Sequence, residues 1–233
     1  KTFSNVPTFV INLHASIDRK NWMRTKVFQE KKNLFSNACR LDAVDFRGCD
    51  DKFKHIHPPA WDVATGHSAG AHFGCGMSHR RVWELMVKRE IPLAIVMEDD
   101  VGIFAEDFDE LFEVAVGQSS LHKKDGWEIF RLSLLASSNQ VWINNFDKRR
   151  FVDGCYAPRI YQELKQDKGQ PMPHQGFGSG FYAITLDGAK SGLNKLNPTV
   201  DLIDDFHWSD KVSCFLPMAA ATAPIGSTRE SSI

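Results

Sequence analysis

The chain has 233 residues, 42% hydrophobic and 24% charged, proportions that are typical of a globular protein and exclude a disordered one. Lys and Arg number 28 against 29 Asp and Glu, so net charge does not favour nucleic acid or an anionic membrane as a partner. The five cysteines form no CxxC pair, which argues against a disulfide scaffold and favours a reducing compartment.

Predicted strands and helices alternate along the chain. The apolar run 8–13 begins the series, and Ser16 and Asp18 are expected to cap the helix that follows it. In chain order the series reads strand 8–13, helix to about 32, strand 41–45, irregular loop 46–71, helix 73–88, strand 93–97, helix 108–116, strand 127–132, mixed segment 136–176, strand 180–185 and helix 188–196. This alternation predicts an α/β fold with a mostly parallel sheet flanked by helices, whose ligands bind beyond the carboxyl ends of the strands.

Three consecutive carboxylates, Glu98, Asp99 and Asp100, directly follow the apolar strand 93–97. Adjacent negative charges repel one another, so a divalent cation such as Mg²⁺ or Mn²⁺ is the expected compensator, and such an ion commonly carries a diphosphate. Because side chains alternate along a strand, Glu98 and Asp100 are expected to face one side and Asp99 the other. The structural alternative is that Asp99 or Asp100 caps a helix beginning near Phe104.

The histidines of the central region do not predict a zinc site. Their spacing matches no closed zinc pattern, even with the neighbouring cysteine included. The residues concerned are His55, His57, His67, His72, His79 and Cys75. Ser78 and His79 are adjacent, so on a helix they point in different directions and cannot form a hydrolase pair.

Several segments resemble glycosyltransferase family 25, which includes bacterial lipooligosaccharide galactosyltransferases and animal procollagen galactosyltransferases. Met97-Glu98-Asp99-Asp100-Val101 is similar to the family's Leu-Glu-Asp-Asp-Val element. The other matching segments are, in order, 10–13 with Asp18-Arg19, 40–45, Gly74-Cys75 with Ser78-His79 and Trp83, 127–132, 178–189, 199–201 and 231–233. The departures are Ala71-His72, where the family has Gly-Glu, the loop around Phe46, and segment 137–175, which has no counterpart.

The resemblance implies one GT-A-like, Rossmann-type domain over 1–233, with a donor-binding half over about 1–135 and an acceptor and catalytic half over about 136–233. It also implies an inverting reaction with UDP-galactose and Mn²⁺ or Mg²⁺, for which Asp100 and Glu98 are the expected metal ligands. The residues expected at the nucleotide sugar are Asn12, Leu13, Arg19, Asp45, Ser78, His79, Asp99, Gly180 and Tyr182.

Several of these residues have a structural alternative. Arg19 is expected to meet the diphosphate, and its alternative is an exposed helix cation. Asp45 is expected near the base or ribose, and its alternative is a turn residue. Ser78 and His79 either shape the donor pocket or pack in the core. Asp99 is expected to be either a metal ligand or a contact to the donor ribose.

Inverting transfer needs one general base to accept the proton of the attacking hydroxyl. Asp201 is the first candidate because the resemblance passes through it, and Asp204, Asp205 and His207 lie nearby in sequence. Repulsion among these carboxylates is expected to raise one of their pKa values toward a useful range. Asp205 and His207 are the reserve candidates, and capping of the following helix is the structural alternative for Asp201.

The predicted function is transfer of galactose from UDP-galactose to a glycan acceptor, in particular bacterial lipooligosaccharide or lipopolysaccharide. The alternatives are a glucosyl- or collagen hydroxylysine galactosyltransferase of the same family, a metal-dependent phosphohydrolase, and a non-catalytic glycan-binding domain. No apolar stretch approaches the ~20 residues that span a bilayer. We therefore expect a cytoplasmic protein, with at most peripheral contact to the inner membrane through basic residues 148–150.

Overall fold

The computed structural model describes residues 6–30, 32, 35–46, 49, 69–104, 128–134, 150–153, 179–197, 203, 209 and 212–221. Within these ranges, no helix combines the length and the apolar character that crossing a membrane requires.

A single sheet of eight strands organises the described residues. In chain order the strands are β1 (Thr8–Asn12), β2 (Ala38–Asp42), β3 (Leu93–Glu98), β4 (Val101–Phe104), β5 (Ile129–Leu134), β6 (Arg150–Asp153), β7 (Phe181–Thr185) and β8 (Val212–Ala221). Across the sheet the order is β2-β1-β3-β7-β5-β8-β4, and β6 pairs with β8 beside this path. In this order the late strands β7 and β8 lie among strands from earlier in the chain, so the early and late strands share one sheet.

The α/β class of the prediction is confirmed, but the expectation of a mostly parallel sheet is wrong. β1 runs parallel to β2 and β3, and β5 runs parallel to β8. β7 is antiparallel to both β3 and β5, while β4 and β6 are antiparallel to β8. Alternation of strand and helix predicts crossovers between sequential strands, but it does not reveal that a late strand enters between β3 and β5 in the opposite direction.

Helices lie on both faces of the sheet. They are α1 (Ile17–Trp22), which continues through a π-helical turn (Met23–Val27) into α2 (Phe28–Glu30), then α3 (Ala69–Lys88) and α4 (Leu186–Lys195). Thr185 caps α4, since its Oγ1 accepts a hydrogen bond from the Gly188 N–H at 3.1 Å. Ser16 occupies the N-cap position of α1 but makes no capping hydrogen bond with its side chain, contrary to expectation.

Alternate residues of the central strands enter two separate apolar clusters. On one face, Phe9 and Ile11 of β1 pack with Trp83 of α3 and with residues of α4. On the other face, Val10 packs with Met23 of the π-helical turn. Burial on both faces explains why β1 and β3 read as continuous apolar runs in the sequence.

Three sequence predictions need correction at the level of elements. The second strand is Ala38–Asp42, three residues earlier than predicted, so Asp45 lies beyond its end. Residues Val101–Phe104 form a strand, which rules out the alternative that Asp99 or Asp100 caps a helix starting near Phe104. Strands β6 and β8 were not predicted. The predicted helix 108–116 lies outside the described residues.

Candidate active site

The acidic triplet lies where β1 and β3 end side by side. These strands are parallel, with Ile11 opposite Glu98, so Asn12 at the end of β1 comes next to the triplet. The Glu98 N–H also donates to the Gly180 carbonyl oxygen at 2.7 Å, which joins the triplet to the turn before β7. The carboxyl ends of neighbouring parallel strands are the usual ligand-binding edge of an α/β sheet.

Asp99 is fixed in a buried polar cluster. Its Oδ1 accepts a hydrogen bond from Arg19 Nη1 at 2.9 Å, and its Oδ2 accepts one from Asn12 Nδ2 at 2.6 Å. Arg40 Nε in turn donates to Asn12 Oδ1 at 2.6 Å. Only 1% of the Asp99 side chain is exposed. Burial raises the pKa of Asp99, and the nearby Arg19 and Asn12 offset this rise only in part.

Glu98 is held by a second set of partners, a serine and a histidine. Its Oε1 accepts a hydrogen bond from Ser179 Oγ at 2.7 Å and lies 3.3 Å from His79 Nε2. His79 Nδ1 lies 2.8 Å from the Tyr182 hydroxyl oxygen, which accepts a further bond from Trp83 Nε1 at 3.2 Å. Burial alone would raise the pKa of Glu98, but the interactions with His79 and Ser179, and the charge of Arg19, hold it below its ordinary value.

Asp100 is the most accessible carboxylate of the triplet. A quarter of its side chain (25%) is exposed, against 12% for Glu98 and 1% for Asp99. Its Oδ2 lies 3.8 Å from Arg19 Nη1. Burial raises the pKa of Asp100 to about 7, and repulsion from Glu98 and Asp99 adds to this effect, while Arg19 opposes it. Two carboxylates close together at a partly open edge are suited to binding a divalent cation.

Helix α3 is locked against the segment that follows β2. Ser78 Oγ donates to the Gly74 carbonyl oxygen at 2.7 Å and accepts a hydrogen bond from the Val44 N–H at 2.8 Å. A Cβ atom on Gly74 would lie only 2.6 Å from the Val44 carbonyl oxygen, so only glycine permits this approach. Ser78 therefore positions α3, and with it His79, rather than lining an open pocket.

Comparison with known proteins identifies the chain's family. A sequence profile described as "Glycosyltransferase family 25 (LPS biosynthesis protein)" matches residues 5–207. The chain belongs to glycosyltransferase family 25. The α/β fold described above agrees with the GT-A-like architecture expected for this family, and membership supports glycosyl transfer as the class of reaction.

One curated relative and one solved structure complete the comparison. "Inactive glycosyltransferase 25 family member 3" of Mus musculus is 28% identical over 123 residues, which cover 50% of this chain but only 20% of that protein. The chain thus matches about a fifth of that relative's length. The apo crystal structure of mouse xyloside xylosyltransferase 1 is 11% identical, covers 83% of this chain and 72% of its own, and has a TM-score of 0.35. That similarity is too low to bear on the fold or the function.

The structure brings together most residues that family 25 resemblance placed at the donor. Beside the triplet lie Asn12, Arg19, His79, Gly180 and Tyr182. Leu13 instead belongs to the apolar core on the α3 face. Asp45 is exposed and lies three residues past the end of β2.

The predicted base candidates Asp201, Asp205 and His207 lie outside the described residues. Their roles remain predictions.

Three residues of the site were not predicted as site residues: Arg40, Trp83 and Ser179. All three lie in segments that resemble family 25, namely 40–45, the Gly-Cys helix and the glycine-rich turn. The contact of Arg40 with Asn12 could not be predicted, because it depends on the pairing of β1 with β2.

Proposed function

We propose that this chain is an inverting, metal-dependent galactosyltransferase that transfers galactose from UDP-galactose to a glycan acceptor of the lipooligosaccharide type. The observation that carries the proposal is that the three carboxylates differ in their hydrogen bonds and in their exposure. Asp99 has both oxygens occupied by Arg19 and Asn12, whereas Asp100 is a quarter exposed (25%) and lies next to Glu98. A site built only to balance charge would not leave one carboxylate at the open edge.

The donor set fits a hard divalent cation. Asp100 and Glu98 offer carboxylate oxygens, which Mn²⁺ and Mg²⁺ prefer. A cation held by these two residues would supply positive charge to neutralise the departing UDP. Arg19 contacts Asp99 and Asp100, so its main role in this proposal is to position the triplet.

Asn12 and Arg40 extend the polar cluster from the triplet to the exposed end of β2. We assign this edge to the uridine and ribose, because the guanidinium of Arg40, whose side chain is 28% exposed there, offers hydrogen bonds to a nucleoside. Gly180 follows Ser179 in the turn that contacts Glu98, and we assign the approach of the transferred sugar to this turn.

Asp201 is our candidate for the base that accepts the acceptor hydroxyl's proton, with Asp205 and His207 in reserve. Replacing Asp201 with asparagine should lower turnover by about 10²–10⁴-fold while donor binding stays normal, since general base catalysis contributes this much. A D201N enzyme with near-normal turnover would remove Asp201 from the mechanism.

The decisive experiment is thermal unfolding of the chain with nucleotide sugars, with and without Mn²⁺. We expect stabilisation by UDP-galactose only when Mn²⁺ is present, by about 2.7 kcal/mol at a ligand concentration near 100 times the Kd. UDP-glucose and GDP-mannose serve as donor controls. D100N should lose the effect, whereas D187N, which alters an exposed acid in the first turn of α4, should keep it.

Stabilisation that is independent of metal, or unchanged in D100N, would contradict the proposal. Binding without any UDP release, with lipooligosaccharide core and hydroxylysine peptides as acceptors, would favour a non-catalytic member of the family. That outcome is a specific concern because the mouse relative is named inactive.

A further inference from the structure

A cysteine and a histidine of α3 come together with Glu98, the first acid of the triplet. Ligand atoms of Cys75, His79 and Glu98 all lie within 4.8 Å of one another. Cys75 and His79 are four residues apart on α3, so they share one face of that helix. Glu98 reaches the same point from the end of β3. This arrangement is invisible in the spacing of cysteines and histidines, because the third ligand is a carboxylate on another element.

The distances suit a tetrahedral ion. In a zinc site, nitrogen and oxygen ligands at about 2.0–2.2 Å from the metal lie about 3.3–3.5 Å apart. His79 Nε2 and Glu98 Oε1 are already 3.3 Å apart. The Cys75 sulfur lies within 4.8 Å of both atoms, so it needs to move by about 1 Å at most to complete the third corner. All three groups are shielded, since Cys75 is 8% exposed, His79 0% and the Glu98 side chain 12%.

The surrounding residues already hold the histidine as a metal ligand requires. A coordinating imidazole usually donates its other N–H to a fixed acceptor, which sets the tautomer. His79 Nδ1 lies 2.8 Å from the Tyr182 hydroxyl oxygen. The same oxygen accepts a hydrogen bond from Trp83 Nε1 at 3.2 Å. When a metal binds Nε2, Nδ1 therefore keeps a fixed partner in this hydroxyl.

We propose that Cys75, His79 and Glu98 supply three ligands of a Zn²⁺ site. The thiolate selects zinc over Mn²⁺ and Mg²⁺, which prefer oxygen ligands. On binding, the Cys75 thiol loses its proton to solvent, because the thiolate is the metal ligand. Zinc binding therefore releases protons.

The site has a consequence that rests on the proposed function. Glu98 is shared with the Mn²⁺ site, so zinc withdraws one of the two carboxylates that would hold manganese. Zinc is then expected to lower manganese-dependent donor binding, while Asp100 has no part in holding zinc itself.

The test uses Zn²⁺ alone, without nucleotide, on the full chain. Isothermal titration in two buffers of different ionisation enthalpy should show one tight site and release of protons. Co²⁺ in place of zinc should give a thiolate-to-metal charge-transfer absorption. C75S and C75A should each lose that absorption and bind zinc at least about tenfold more weakly. C39S, which alters an exposed cysteine, should behave as the unmodified chain.

The proposal is overturned if zinc binds without proton release, if cobalt gives no thiolate band, or if both Cys75 variants bind zinc as the unmodified chain does. D100N separates this proposal from the proposed function. It should lose stabilisation by UDP-galactose with Mn²⁺ and keep the cobalt band. If the chain gave the cobalt band but bound no UDP-sugar, the zinc site would be supported and the proposed galactosyltransferase function would be contradicted.

Discussion

Asp99 and Glu98 of the acidic triplet have different kinds of partner, and we call the partners of each one side of the site. Asp99 faces a cation and an amide from the first βα unit, Arg19 and Asn12, and is almost wholly buried. Glu98 faces the hydroxyl of Ser179 and the imidazole of His79, contributed by the turn before β7 and by helix α3. The Asp99 side therefore contains the permanent charge of a guanidinium, whereas Ser179 on the Glu98 side is uncharged.

This difference separates a structural role from a chemical one. A buried ion pair is costly to break because either partner left alone is an uncompensated charge. Glu98 contacts a hydroxyl and an imidazole instead of a guanidinium, and both contacts are made by its Oε1. The Asp99 side therefore anchors the triplet, and the Glu98 side, together with Asp100, is left to bind the ion. The predictions below test whether the two sides respond differently to substitution.

The largest expected effect is on the Asp99 side. R19M removes the cation and leaves the Asp99 carboxylate buried, so we expect the free energy of unfolding at pH 7.5 to fall by about 3–5 kcal/mol. The pKa of Asp99 is already raised by burial, and it should rise further without Arg19. The deficit should therefore shrink as the pH falls, because protonation of Asp99 removes the charge that is left alone. Urea unfolding at pH 7.5 and pH 4.5 measures this.

The control for R19M is R24M, which removes an exposed arginine from the same helical segment and should change little. The double variant R19M/D99N should recover part of the loss, because the charge left alone is no longer present. If R19M and R24M were equally stable, the ion pair would not anchor the triplet.

A smaller loss is expected on the Glu98 side. Y182F deletes the hydroxyl that meets both His79 Nδ1 and Trp83 Nε1. It leaves two buried ring nitrogens short of a partner, which costs about 1–3 kcal/mol. Because no full charge is left alone, the cost should change less with pH than that of R19M. A pH dependence as steep as that of R19M would show that this side also carries an ion pair.

Much of the framework follows from patterns that act locally. The apolar runs of β1 and β3 and the Gly-Ala start of α4 were found because their burial or capping is encoded within a few residues. β2 was predicted three residues too late. The sequence of residues 41–45 is more typical of a strand than that of Ala38–Asp42, whose side chains are exposed or half-buried. β8 was missed because its partners, β4, β5 and β6, are distant in the chain and its direction depends on them.

The site shows the same limit. The acid triplet was predicted because three charges after a buried strand are costly wherever they occur. The assignment of Asp99 to a cation and of Glu98 to an imidazole required the positions of α1 and α3 relative to β3. Sequence spacing contains neither position, since the contacts span 80 residues from Arg19 to Asp99 and 19 from His79 to Glu98.

Asp100 should show a modest pH dependence in the metal-free chain. Its pKa is raised to about 7 by burial and by the neighbouring carboxylates, above the ordinary value of an unfolded Asp. A raised carboxyl pKa stabilises the fold at low pH, and this contribution is lost as pH rises toward 7. With EDTA present, D100N should therefore gain about 1–2 kcal/mol relative to the unmodified chain between pH 4.5 and pH 8. Solvent screening limits this gain, because a quarter of the side chain (25%) is exposed.

If the free energies of unfolding of D100N and of the unmodified chain changed equally between those pH values, the pKa of Asp100 would not be raised in the folded chain. Added Mn²⁺ should reverse the order of stability at pH 8, because the ion favours the charged carboxylate only where a carboxylate is present.

The smallest effect is expected at Asp42, which makes the comparison with Asp99 direct. Both acids contact an arginine at the same edge of the sheet, and Arg40 joins Asp42 to Asn12. Asp42 is 57% exposed, however, so water already solvates its charge and the ion pair gains little. D42N should leave the melting temperature unchanged within error at both low and high salt. A loss comparable with that of R19M would mean that contact with an arginine, rather than burial, decides which acid anchors the site.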